Sequence, residues 1–402
     1  MTHRAFVLLF ALSSILAFVP AQAVGKSLPV KEWTILVFLN ADNNLDSFGV
    51  KDLGEMQKVG STDQVNVVVQ MDRLKEGAKR YFVRKGAADV LADLGEVDMG
   101  DYKGLVEFAK WGATQYPSKR TMVIVWNHGS GWDKRRGRVA VRGVSYDDSS
   151  GNNITTEQLG VAMGQIATHL GRRLDILGFD ACLMNMFEVA YEVRANVTFQ
   201  VGSEETEPGD GWPYSAWLKS LTQAPTQAPM QLATTMVKAY ASSYWISKAT
   251  QSAIFCPALE RLREKTDLFV TAIQQDTSGE AKQAIASAKT KVARFAVAEN
   301  ADFFDLVQLF KKAVTQPALK AAADAVLGQQ QIVVTANAVH AIPFDPKNIH
   351  GLAVYFPRSG GWWSAYRRLA FAKDSKWDEL LSGTLGAPLP GNSPFDALHG
   401  IR

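Results

Sequence analysis

Short, mainly apolar runs recur through the first half of the chain at Trp33 to Leu39, Val65 to Met71, Met122 to Trp126 and Leu174 to Phe179. Each has strand length and ends in polar or turn-forming residues, the pattern of a buried strand. Between them lie segments with helical spacing, Leu45 to Val59, Leu105 to Tyr116 and Thr155 to Leu170, and no short hairpin turn. Thr155-Thr156-Glu157-Gln158 supplies a hydroxyl cap and a nearby acceptor for the start of the third. Strand and helix in alternation predict an α/β fold whose mostly parallel sheet carries helices on both faces.

Two stretches interrupt that rhythm. Gly129 to Asn153 is rich in Gly, Ser, Asp and Arg and far exceeds the roughly 2 to 6 residues usual between a strand and a helix, so a functional loop is expected. Leu221 to Met230 (LTQAPTQAPM) reads as a linker with a soft boundary there or slightly later. From about Cys256 the composition turns to Ala- and Lys-rich helices, with two further strand-like runs at Gln331 to Ala336 and Gly351 to Phe356. The expected division is 24–255 for a catalytic domain and 256–402 for a helical and mixed region packed on it.

Composition fits a folded chain, with 47% hydrophobic and 21% charged residues in 402. The first 23 residues stand apart. His3 and Arg4 precede an apolar run from Ala5 to Val19, and Ala21-Gln22-Ala23 has the small-x-small form of a signal-peptide cut after Ala23. That run falls short of the roughly 20 residues needed to span a bilayer, so a secreted or periplasmic protein without a stable membrane span is expected. The formal net charge of +3 is too small to suggest a nucleic-acid partner, and the cluster Lys134, Arg135, Arg136, Arg138 and Arg142 sits in one loop without interleaved aromatics. Two cysteines, Cys182 and Cys256, leave a disulfide open in an exported chain.

Candidate chemistry gathers in MVIVWNHGSGW and LDILGFDACLMNMFEVAYEV. Each places a reactive side chain, His128 and Cys182, just past a predicted strand, and ligands of open parallel sheets bind at that rim. Gly129 and Cys182 could each offer a backbone N–H to an oxyanion. Helical spacing after Cys182 (Met186, Val189, Ala190, Val193) predicts a sulfur near a helix N-terminus, which would favour the thiolate. His169, His340, His350 and His399 lack such a setting and read as structural. No H-E-x-x-H pair or nucleotide-binding glycine loop occurs.

His-Gly at one strand end and Asp-Ala-Cys at a later one resembles the clostripain family of cysteine peptidases. The resemblance extends, in order, through Leu39-Asn40-Ala41-Asp42-Asn43-Asn44-Leu45, Gly143-Val144-Ser145-Tyr146-Asp147-Asp148, Gly202-Ser203-Glu204-Glu205, Pro208-Gly209-Asp210-Gly211-Trp212 and His350 to Pro357. It implies a caspase-like three-layer sandwich and a secreted endopeptidase with Cys182 as nucleophile and His128 as acid and base. It further implies cleavage of protein or peptide substrates after Arg or Lys, with Asp180 and Asp210 matching the acids of the S1 pocket and Glu205 and Glu207 in reserve.

The resemblance also implies a zymogen, and self-cleavage at Arg142 or Arg138 would leave a monomer as two associated chains. Calcium is a cofactor by resemblance only. Asp42-x-Asn44-x-Asp46 alternates oxygen ligands but lacks the later glycine and glutamate of an EF-hand, and it reads with Asp147 and Asp148 as turn and cap residues, so no metal ligand is assigned. Two other readings stay open: an exported binding protein with a Cys182–Cys256 disulfide, and a cell-wall peptide amidase or transpeptidase using the same pair.

Overall fold

The computed structural model describes residues 29–386 except 133, 137, 138, 142, 245–248, 341–344, 360 and 361, with the backbone alone described at 134–136 and 139–141. The expected signal peptide with its cut after Ala23, and Arg138 and Arg142, lie outside the described residues.

The first strands in chain order are β1 (Lys31–Ala41), β2 (Val65–Arg73), β3 (Ala78–Arg84), β4 (Ala87–Gly95) and β5 (Ser118–Trp126). Two small hairpins follow, β6 (Lys134–Arg136) with β7 (Val139–Val141), and β8 (Val144–Asp147) with β9 (Asn152–Ile154). Then come β10 (Leu174–Asp180), β11 (Val197–Gly202), β12 (Ala249–Phe255), β13 (Asn300–Asp302), β14 (Val334–His340) and β15 (Ala353–Tyr355). Nine form one sheet in the order β14-β12-β11-β10-β5-β1-β2-β3-β4. Its middle five, β11 to β2, are parallel, and the two strands at each edge are antiparallel to their neighbours.

The central strands bury both faces, and their side chains alternate between two cores as the two-residue strand period requires. Leu36, Phe38, Val123, Val125, Leu177 and Phe179 face one layer of helices, which includes α2 (Tyr102–Gln115), α3 (Thr156–Leu170) and α4 (Phe187–Val193). Ile35, Val37, Leu39, Met122, Ile124 and Ile176 face the other, built from α1 (Asp46–Val59), α5 (Tyr214–Gln223) and α6 (Pro229–Ser243). Helix, sheet and helix form the expected three layers. The start signal of α3 is real: the Thr155 side chain accepts from the Gln158 N–H while the Gln158 side chain accepts from the Thr155 N–H.

Three expectations need correction. The segment 78–95 is a β-hairpin at the sheet edge, whose outer strand has no buried residue and carries Asp89 and Asp93, so it lacks the continuous apolar run of a buried strand. The stretch 221–230 is not a continuous linker: 221–223 end α5, 229–230 begin α6, and only 224–228 connect them. Gln330–Val333 forms a helical turn, and β14 begins only at Val334.

Candidate active site

β5 and β10 are neighbours in parallel register, with Trp126 opposite Asp180. The Asn127 N–H still donates to the Asp180 carbonyl at 3.1 Å, so His128 and Cys182 leave the sheet side by side, each two residues beyond a strand. The approach there is close enough to demand glycine: a Cβ on Gly129 would lie 2.4 Å from the Cys182 carbonyl oxygen and 3.1 Å from its nitrogen. Gly129 sits opposite Val144 in an isolated antiparallel bridge. The bond seen there runs from the Ser130 N–H to the Gly143 carbonyl at 3.0 Å, so the pairing does not use the amide of Gly129.

His128 is half-buried, and its Nε2 lies 2.8 Å from Asn44 Oδ1. With that oxygen accepting, Nε2 carries the proton of the neutral ring and Nδ1 is the basic nitrogen. Asn44 follows β1 in the turn that sequence analysis read only as a turn. The residue before the histidine is held as firmly: the Asn127 side chain accepts from the Tyr146 N–H at 2.7 Å and donates to the Tyr146 carbonyl at 3.0 Å.

Cys182 is not at a helix N-terminus. It lies in a turn whose next residue, Leu183, has φ of 66°, and α4 begins only at Phe187. The turn is held by two backbone bonds, Leu183 N–H to Glu205 carbonyl and Asn185 N–H to Ser203 carbonyl. The apolar periodicity was real, but Leu183, Met184 and Met186 are fully buried as parts of a folded-back turn. The sulfur instead accepts the Glu207 N–H at 3.3 Å. Both thiols are free, which removes the disulfide on which the binding-protein reading stood. Cys256 is buried, and burial pushes its thiol up to about 12, which leaves it inert at neutral pH.

Beneath Cys182 three carboxyl groups share a desolvated region. Asp180 Oδ2 accepts from the Trp212 N–H and the Tyr214 hydroxyl at 3.2 and 2.9 Å, and burial pushes its carboxyl up to about 6. Asp52, on the buried face of α1, accepts from Trp126 Nε1 at 2.7 Å. Burial first, then the Asp180 charge, push it up to about 9. Both Glu207 carboxyl oxygens are buried without a hydrogen-bond partner among the described residues. Burial, then Asp180 and Cys182, raise that group well above its ordinary value. Gly211, at φ of 61°, lays the Pro-Gly-Asp-Gly loop over the acids, where a Cβ would sit 3.0 Å from Asp52 and 3.2 Å from Asp180. Asp210, by contrast, is exposed and paired with Lys51 at 2.5 Å.

Sequence analysis missed Asn44 and Asp52 as site residues. Asp52 had a signal, a carboxylate at helical spacing with the buried Gly49, Leu53 and Met56. Asp46 pairs with Arg73, and Asn44 meets His128, so the alternating Asp42-x-Asn44-x-Asp46 spacing does not converge on one point.

The chain matches the model of the clostripain family over residues 37–383. Clostripain of Hathewaya histolytica is 29% identical over 189 residues, which are 40% of this chain and only 36% of that protein's length. A secreted C11 cysteine protease from Bacteroides thetaiotaomicron, solved with an irreversible peptide inhibitor, aligns with a TM-score of 0.67 at 21% identity, covering 87% of this chain and 99% of that one. An inactive zymogen C11 protease from Parabacteroides distasonis aligns with a TM-score of 0.66 at 18% identity, covering 86% and 99%. Those two likenesses are of fold. Among the described residues, no helix is long and apolar enough to cross a membrane.

Proposed function

Because the chain belongs to the clostripain family of cysteine peptidases, we propose that it hydrolyses peptide bonds after Arg or Lys, with Cys182 as nucleophile and His128 as acid and base. His128 Nδ1 takes the thiol proton, and the sulfur attacks the scissile carbonyl. The oxyanion is met by the N–H groups of Gly129 and Cys182, and the imidazolium protonates the departing amine. Water then attacks the thioester, with the same nitrogen as base, and restores the thiol.

The observation that carries the specificity is the unneutralised acid cluster beside the sulfur. Asp180 is buried and Glu207 half-buried, and desolvation raises both carboxyls, with Asp180 and Cys182 adding to the rise at Glu207. A P1 guanidinium or ammonium would supply the neutralising charge and be held by charge-assisted hydrogen bonds. It would also remove the negative field that opposes a thiolate at Cys182, so a basic P1 residue would activate the nucleophile as it binds. Asp210 would act at the rim, exchanging Lys51 for substrate. Self-cleavage at Arg142 or Arg138, and export through the N-terminal segment, complete the proposal. Likeness in fold to a secreted C11 protease and to an inactive zymogen C11 protease supports these two parts.

The test is hydrolysis of fluorogenic peptides with Arg, Lys, Ala or Asp at P1 by the wild type and Cys182→Ala. Turnover after Arg or Lys that disappears in the variant is expected. Turnover that survives Cys182→Ala, or that prefers Ala or Asp, overturns the proposal.

A further inference from the structure

Behind the support of Cys182 lies a pair of acids to which the peptidase reading gives no role. Glu204, in the segment after β11, and Asp302, at the end of β13, are both buried, and their carboxyl groups meet within hydrogen-bonding reach. Asp302 has both oxygens occupied by backbone donors: Oδ1 accepts from the Asp305 N–H at 2.8 Å, and Oδ2 accepts from the His350 N–H. Glu204 Oε2 accepts from the Gly351 N–H at 2.9 Å. Of the four oxygens, only Glu204 Oε1 meets no donor among the described residues.

The groups packed around the pair do not neutralise it. From the loop side comes Glu205, whose Oε1 accepts the Ala296 N–H at 3.0 Å. From the helix Phe303–Ala313 comes Asp305, whose Oδ2 accepts the Ala293 N–H at 2.8 Å. The His350 imidazole is turned towards Gln308 and Gln330, and Lys312, which acts on Asp305 and His350, is exposed. β12 contributes only hydroxyls here: that of Thr250 accepts the Glu204 N–H at 3.1 Å, and that of Ser252 donates to the Gly351 carbonyl at 2.6 Å. Among the described residues, neither Glu204 nor Asp302 is in an ion pair. Two buried carboxylates at such range repel, whereas one proton between them makes a charge-assisted hydrogen bond.

We propose that Glu204 and Asp302 share one proton, carried on Glu204, and that this proton fastens the turn of Cys182 to the C-terminal half of the chain, which makes the two acids pH-sensitive positioning residues for the nucleophile. The carbonyls on either side of Glu204 are the ones that hold the turn: Ser203 accepts the Asn185 N–H at 3.0 Å and Glu205 accepts the Leu183 N–H at 3.1 Å. The turn is tied to the far side as well, since the Asn185 carbonyl accepts the N–H of Ala353 at 3.0 Å, two residues beyond Gly351. Loss of the proton would set two like charges against each other at the centre of this ring of bonds.

Burial, then the Asp302 charge, raise the Glu204 carboxyl well above its ordinary value, and burial pushes Asp302 up to about 8. The pair's contribution to stability is therefore fully present below about pH 4 and is lost as pH rises towards 8 and beyond. That part needs no catalysis; the part concerning activity rests on the reading of Cys182 as nucleophile.

The test uses full-length Cys182→Ala protein with and without Glu204→Gln, whose amide can donate to Asp302 without a titrating proton while its oxygen still accepts from Gly351. In urea, between about pH 5 and 8, the unfolding constant of the parent is expected to rise more steeply than that of the variant, by up to about tenfold per pH unit, the signature of one bound proton. At pH 8 the variant should be at least as stable as the parent. Asp302→Asn should be less stable, because its amide N–H would oppose one of the two backbone donors. Hydrogen exchange at 183–185, taken relative to β5, should lose protection above about pH 8 in the parent and keep it in Glu204→Gln. With Cys182 restored, kcat on an Arg substrate should fall at a pH about one unit higher in Glu204→Gln than in the wild type. A wild type without turnover would sink the peptidase reading, and the unfolding and exchange arms would still decide the pair. Equal pH slopes in parent and Glu204→Gln, a Glu204→Gln protein that is less stable at pH 8 or does not fold, an Asp302→Asn protein as stable as the parent, or like exchange at 183–185 in parent and Glu204→Gln overturns the proposal.

Discussion

Two acid clusters stand at one rim of one sheet, and they are built from different materials. The group of Asp52, Asp180 and Glu207 is met by aromatic residues: Trp126 Nε1 donates to Asp52, and the Tyr214 hydroxyl and the Trp212 backbone N–H donate to Asp180. In the group of Asp42, Asp72, Glu96 and Asp147, backbone N–H groups hold the first, second and fourth, and no aromatic donor reaches them among the described residues. Aromatic walls leave room for the stem of a long cationic side chain. Negative charge alone does not define what a site takes. The shape and polarity of what surrounds the charge do.

The comparison breaks most visibly at Asp180. Asp180→Asn should lower kcat/KM for Arg and Lys substrates roughly 10- to 100-fold, the worth of charge-assisted hydrogen bonds. Equal turnover of basic substrates by the variant would show that the cluster does not read P1.

A smaller effect belongs to Asn44, whose side chain meets His128. Asn44→Ala should lower kcat about 3- to 10-fold with little change in KM, because it removes one neutral hydrogen bond that fixes the imidazole tautomer. Wild-type kcat in that variant would show that the bond does not orient His128.

The smallest effect is on stability. The Asp52 carboxyl is raised to about 9 in the fold from an ordinary 3.8, so its contribution is fully present below about pH 4 and is lost as pH rises towards 9. Unfolding of Cys182→Ala protein should therefore become easier across that window, and adding Asp52→Asn should flatten the trend. An unchanged pH slope would mean that Asp52 ionises as readily in the fold as out of it.

Local pattern carried a good part of this molecule. The apolar runs at 33–39, 65–71, 122–126 and 174–179 all lie in strands of the parallel core, and Thr155 caps α3 through the bond its spacing suggested. These features depend on residues close in sequence, so periodicity and capping chemistry reveal them. His128 and Cys182 were also legible as side chains just past strand ends, though only strand order could make those ends neighbours.

The sequence by itself determined the alternation of strands and helices, the placing of reactive residues past strand ends and the family to which their motifs belong. Tertiary structure alone decided that Asn44 meets His128, that Cys182 sits in a turn held by residues 203–207, and that Asp52 lies under Asp180. It likewise gathered Asp42, Asp72, Glu96 and Asp147. The physical reason is range. Backbone propensity and side-chain periodicity act over a few residues, whereas burial and charge act through space, and the distances that matter here are set by which strands lie side by side.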